Sequence, residues 1–129
     1  MGSPTLDAHF KRLKVRYPDT VLTPLPSGAA LITLPNRPLP GGWAPTLATL
    51  HFIAPVGYSV AAPDSFWLAP NVTVNGAVPT NSSASQTIPE TKISAHFFSW
   101  HLEAARWLAN EHDLLTFVSV CLKRLENRR

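Results

Sequence analysis

The chain has 129 residues, 45% hydrophobic and only 15% charged, with a net charge of +3. These values fit one folded domain, residues 1–129, with one core, and they exclude a disordered chain or a multidomain machine. No apolar run reaches the roughly 18 residues of a membrane span, and the opening residues lack the apolar stretch of a signal peptide, so a cytoplasmic location without membrane contact is expected.

Thirteen prolines are present and none follows Pro89, while residues 20–89 hold only two charged residues, Arg37 and Asp64. The chain therefore changes character near residue 90. Residues 3–17 predict a short helix: Pro4 suits a first turn, and Leu6, Phe10, Leu13 and Tyr17 recur along one face opposite Lys11, Arg12, Lys14 and Arg16. Pro18, Pro24 and Pro26 end it. Extended segments are expected at 29–34, 46–54, 65–68 and 72–74, separated by turn signals such as Pro40-Gly41-Gly42 and Pro55-Val56-Gly57. In the second segment Ala48, Leu50, Phe52 and Ala54 alternate with Leu47, Thr49, His51 and Ile53, the pattern of an antiparallel strand covered on one side.

The polar, small-residue stretch 75–91 reads as a loop, and in a non-enzymatic interaction module it would serve recognition together with Trp43 and Trp67, which read as exposed. After it, Leu114, Phe117, Val118, Cys121, Leu122 and Leu125 form the apolar stripe of an amphipathic helix that starts at Asp113 and ends among solvated basic residues, Lys123 and Arg124 included. The expected fold class is α+β: an N-terminal helix, an antiparallel meander of three to four strands, and C-terminal helices packed on one sheet face.

Cys121, the single cysteine, excludes an internal disulfide and, with no second thiol, argues against a cysteine-based structural zinc site; no metal or cofactor is expected. It lies on the apolar stripe, where a thiol behaves as a small hydrophobe. The basic residues do not interleave with aromatics along one surface, so nucleic acid is not an expected partner. Phosphate-loop, zinc-protease and serine-elbow motifs are missing, and no carboxylate pair is brought together by spacing. The remaining constellation is Ser99 with His96 and His101, held among Phe97, Phe98 and Trp100. A histidine near neutrality is the usual base for a serine nucleophile. The same residues also read as an aromatic anchor whose histidines satisfy backbone groups.

Pro55-Val56-Gly57-Tyr58, Pro63-Asp64-Ser65-Phe66-Trp67, Ser99-Trp100-His101, Trp107 and Asp113-Leu114-Leu115 together form a recognisable series. It resembles the ubiquitin-conjugating (UBC) superfamily, and within it the bacterial "prokaryotic family E" branch, over about residues 22–125. The resemblance implies a UBC-like fold and transfer of an activated ubiquitin-like C-terminus. The family's His-Pro-Asn tripeptide falls on Ala69-Pro70-Asn71, without its histidine, and the position of the catalytic cysteine falls on Ser99.

By that resemblance Ser99 is the candidate acceptor, forming an oxyester, His101 its base or orienter, and Asn71 a support for the oxyanion. A substituted cysteine and a non-catalytic binding variant stand beside this reading. The implied partners are a ubiquitin-like protein, a ThiF-type activating enzyme and a JAB-type isopeptidase, in a bacterial pathway such as antiphage defence. Lys11, Arg12, Lys14 and Arg16 on the first helix are the candidate contacts to the activating enzyme, and they also read as a solvated helix face.

Overall fold

Proline at the first helical position costs no hydrogen bond, and α1 (Pro4–Arg16) begins on Pro4. In this computed structural model residues 4–99, 107–108 and 111–127 are described. Leu6 and Leu13 on α1 are buried, and Phe10 packs half-buried against the same core. The other helix, α2 (Leu114–Glu126), is opened by a capping box. The Asp113 carboxylate accepts the Thr116 N–H at 3.0 Å, and the Thr116 hydroxyl accepts the Asp113 N–H at 3.1 Å, so two orphan donors of the first turn are satisfied.

Between these two helices the described residues form eight strands: β1 (Val21–Pro24), β2 (Ala30–Pro38), β3 (Trp43–Ala44), β4 (Leu47–Ala54), β5 (Phe66–Ala69), β6 (Thr73–Val74), β7 (Ser82–Thr87) and β8 (Ser94–Phe98). Six of them form one antiparallel sheet in the order β1-β2-β4-β5-β8-β7, and β3 pairs with β6. The fold is therefore α+β, with a wider sheet than the expected three to four strands. The difference comes from the second half of the sheet. β8 holds the aromatic stretch around His96, and β7 lies inside the segment read from sequence as a loop.

β7 has the sequence SSASQT and is exposed along nearly its whole length, so it buries no alternating apolar row that periodicity reveals. Its pairing with β8 breaks register between Ser83 and Gln86, and Ser85 there has φ 56°. An irregularity of this kind bends an edge strand and blunts it against further pairing.

Ala48, Leu50, Phe52 and Ala54 of β4 all point into the main core, as their alternation predicts. Phe66 and Leu68 of β5 and Phe98 of β8 join them. The helices cover this face: the rings of Phe52 and Phe117 lie 5.0 Å apart, and Phe66 stacks on Phe98 at 4.8 Å. Each such ring contributes on the order of 1.5–3 kcal/mol by leaving water. The two tryptophans read as exposed are buried. Trp43, 5% exposed, donates its indole N–H to the Leu125 carbonyl at 2.8 Å, and Trp67, 6% exposed, packs against Phe97 on the other sheet face. Arg124, read as a solvated helix-end cation, is 3% exposed.

No helix among the described residues covers the second face. It holds its own cluster: Leu25, Ala29, Leu31, Trp67, Ile88 and Ala95. Leu25 and Ala29 come from the β1–β2 turn, Ile88 from the β7–β8 turn. These tips belong to the two edges of the sheet and to opposite ends of it, because β1–β2 turns beside the Ala54 end of β4 and β7–β8 beside the Ala69 end of β5. They nevertheless meet. The Glu90 carboxylate accepts the Ser27 backbone N–H at 2.8 Å and its hydroxyl at 2.7 Å. The sheet thus coils until diagonal corners close over its second face.

Candidate functional site

Ser99 follows the last residue of β8, and its backbone N–H donates to the Asn81 carbonyl at 2.8 Å. That bond extends the β7–β8 ladder by one residue and fixes the position of an exposed side chain. Trp100 and His101 lie outside the described residues, so the candidate base has no described position. Trp107 is described: its indole N–H donates to the Ser59 carbonyl at 2.8 Å, and its ring faces Tyr58 and His112.

Asn71 is engaged elsewhere. Its Oδ1 accepts the Ser85 backbone N–H at 2.9 Å and its Nδ2 donates to the Ser85 hydroxyl at 2.9 Å. Both ends of the amide are thus spent on the register break of β7. The next residue, Val72, donates its N–H to Nδ1 of His96 at 3.2 Å. His96 is three residues before Ser99 on β8, a separation of roughly 10 Å along a strand. The structure therefore places Asn71 over the middle of the β8–β7 pair and Ser99 at its end.

His96 is fully buried, and burial lowers its pKa. Its Nδ1 accepts from Val72, so Nε2 carries the proton and donates to the Ser82 hydroxyl at 2.8 Å, which donates in turn to the Pro79 carbonyl at 2.5 Å. Both ring nitrogens are satisfied, one of them by a backbone group, which fits the anchoring reading for His96; His101 lies outside the described residues. A neutral imidazole in this tautomer holds the chain that crosses β8 against β7, and has no lone pair to offer Ser99.

On α1, Arg12 donates to the Asp113 carboxylate at 2.6 Å and so ties α1 to the start of α2. Burial pushes the Asp113 carboxyl up, but the Thr116 N–H, the Arg12 guanidinium and the Thr116 hydroxyl outweigh it and hold the pKa below the ordinary value. Lys11, Lys14 and Arg16 are exposed. Lys14 lies 5.9 Å from the Phe10 ring centre and Arg16 4.7 Å from that of Tyr17. Cys121 is fully buried, and burial raises its thiol pKa well above the ordinary value. A nucleophilic thiolate is thereby disfavoured.

Two linked groups escaped the reading of the sequence. His9 Nδ1 lies 2.6 Å from the Tyr58 hydroxyl, and Thr33 Oγ1 lies 2.9 Å from His51 Nδ1. The signal for the first was present, since His9 falls between Leu6 and Leu13 on the buried side of α1. Among the described residues no group of three or more His, Cys, Asp or Glu side chains is arranged to hold a metal ion. No described helix is long and apolar enough to cross a membrane. No protein-family model matches the chain, and neither a curated protein nor a solved structure does.

Proposed function

We propose that this chain is a UBC-like interaction module that binds a ubiquitin-like protein or its ThiF-type activating enzyme without forming a covalent adduct. The family placement rests on the sequence resemblance. The α+β order is compatible with it, with a helix before the antiparallel strands and a capped amphipathic helix after them. The observation that carries the non-covalent role is the commitment of two polar groups that acyl transfer at Ser99 would call on. Asn71 is bound at both ends to Ser85, and His96 is bound at both nitrogens to Val72 and Ser82. Acyl transfer to a serine needs a base to take the proton and a donor for the oxyanion. These two residues supply neither to Ser99.

A second reading is favoured by one observation: Ser99 is exposed, whereas the chain's only thiol is buried with a raised pKa. If the chain accepts an acyl group, Ser99 is the better placed of these two nucleophiles, with His101 as its base. Intact-protein mass spectrometry and isothermal titration separate the readings. The chain is mixed with the ubiquitin-like protein, the activating enzyme and ATP, as wild type and as Ser99→Ala. Saturable binding with unchanged mass, equal in both, is the expected result. A hydroxylamine-labile adduct lost in Ser99→Ala overturns it in favour of the acceptor reading, and absence of any binding overturns both.

A further inference from the structure

At the C-terminal end of α1, two arginines share one tyrosine. The guanidinium carbon of Arg16 lies 4.7 Å from the centre of the Tyr17 ring and that of Arg37 5.3 Å from it. Together with Pro38 and Leu122 these three side chains line a surface pocket of about 280 Å³. Stacking on an aromatic face holds a guanidinium plane in place before any ligand arrives, which lowers the ordering cost of binding.

The donors divide unequally. Arg37 spends Nε on the Pro35 carbonyl at 3.0 Å and Nη2 on the Asp19 carboxylate at 2.9 and 3.2 Å. Its Nη1 remains. Arg16 has no carboxylate partner among the described residues, so its whole fork is available. With Asp19 offsetting one of the two arginines, the pocket keeps one unit of positive charge. That suits a singly charged carboxylate better than a phosphate dianion. Pro38 and Leu122 add an apolar floor, which suits a carboxylate carried on an apolar body.

We infer that this pocket receives an acidic side chain, flanked by apolar residues, from a segment of a partner protein. Arg16 forms the open fork and Nη1 of Arg37 the second donor. The inference rests on the partner-binding reading above and names the chemistry by which the partner is held.

The test is an NMR titration of the full chain, following Arg16, Tyr17 and Arg37 signals, with the blocked peptide acetyl-Leu-Glu-Leu-amide. The matching Gln peptide and inorganic phosphate are titrated at equal ionic strength. Saturable shifts confined to the pocket are expected with the Glu peptide, weakened at least fivefold in the Gln peptide and at least about fivefold in Arg16→Gln. Arg16→Lys is expected between wild type and Arg16→Gln, because a point charge replaces a fork. Lys92→Gln removes the same charge from the exposed β7–β8 turn and is expected to bind like wild type. Arg16→Gln is the primary variant because Arg37 also holds Asp19. Equal shifts with the Gln peptide or phosphate, unchanged binding in Arg16→Gln, or no saturation at about 10 mM peptide overturns the inference. Peptide binding without binding of either the ubiquitin-like protein or the activating enzyme leaves the pocket standing and removes the function proposed above. Partner binding with a silent pocket does the reverse.

Discussion

The Tyr58 hydroxyl lies 2.6 Å from Nδ1 of His9 across 49 residues of chain, near Asp113 at the start of α2, and with Nδ1 unprotonated the hydroxyl is the donor. One phenol therefore brings together α1, the turn after β4 and the start of α2. Burial, with the neighbouring Asp113 charge, raises the pKa of Tyr58 far above that of a free phenol, so it remains a donor throughout the neutral range. The partner at risk is the imidazole, because a protonated Nδ1 cannot accept.

Acid is expected to weaken the fold well above the carboxylate range. Burial lowers the pKa values of His9, His51 and His96, and at His9 the Arg12 charge adds to burial while Asp113 opposes it. A depressed folded pKa means that the unfolded chain takes up protons first. The stabilisation is complete above the ordinary value of 6.5 and is lost as pH falls through the lower folded values. Urea midpoints measured from pH 7.5 to 5 are expected to fall. Tyr58→Phe is expected to cost about 1 kcal/mol at pH 7.5 and to leave the burial-driven slope in place. A flat profile between those pH values contradicts the assignment.

Asn71→Ala is expected to destabilise the chain by about 1 kcal/mol, since the Ser85 N–H and hydroxyl lose their partner at a site open to water. Backbone amide exchange of Ser85 and its neighbours is expected to quicken, with partner affinity unchanged. Lost affinity without lost stability contradicts a structural role for this amide.

Arg124 supports more structure than its place near the helix end suggests. Its guanidinium donates to the Thr80 carbonyl at 2.9 Å and the Asn127 carbonyl at 3.0 Å, and lies 5.5 Å from the Phe98 ring centre. Arg124→Ala is expected to cost about 2–4 kcal/mol, from lost packing and stranded carbonyls. Arg124→Lys is expected to recover less than half, because an ammonium cannot reach two carbonyls in one plane. Urea denaturation of both variants measures this, and full recovery by lysine contradicts the fork geometry.

Cys121 is expected to resist thiol reagents in the native state and to react at a rate set by global opening. Labelling with a disulfide reagent across a urea series should track the unfolding curve. Prompt labelling in buffer contradicts its burial.

What was legible in the sequence follows from where burial is one-sided. The helix at residues 114–126 and the strand at 47–54 each put apolar residues on one face, so their periods are visible. β7 buries almost nothing and is held by backbone pairing and by Asn71, neither of which leaves a periodic mark. Trp43 and Trp67 sit among turns and short strands, and their burial depends on α2 and on Phe97, which are distant in sequence. Arg124 was misread because long-range carbonyl partners cannot be seen from charge alone. At the candidate site the strand Ser94–Phe98 that leads into Ser99 was not legible in the sequence, because its aromatic and histidine run shows no alternation. The separation of Asn71 from Ser99 is set by the register of β5 and β8, which composition does not encode.

The meeting of Ser27 and Glu90 gives the sheet a property that its strand list hides. Two hairpin tips 63 residues apart close a loop without a covalent bond, and the small core beneath them exists only while both are in place. Neither edge hairpin can peel away alone, because lifting one floods the apolar surface that shelters the other. The sheet is built as a buckled cuff, and its two rims are expected to open together, with matching amide exchange at the two tips.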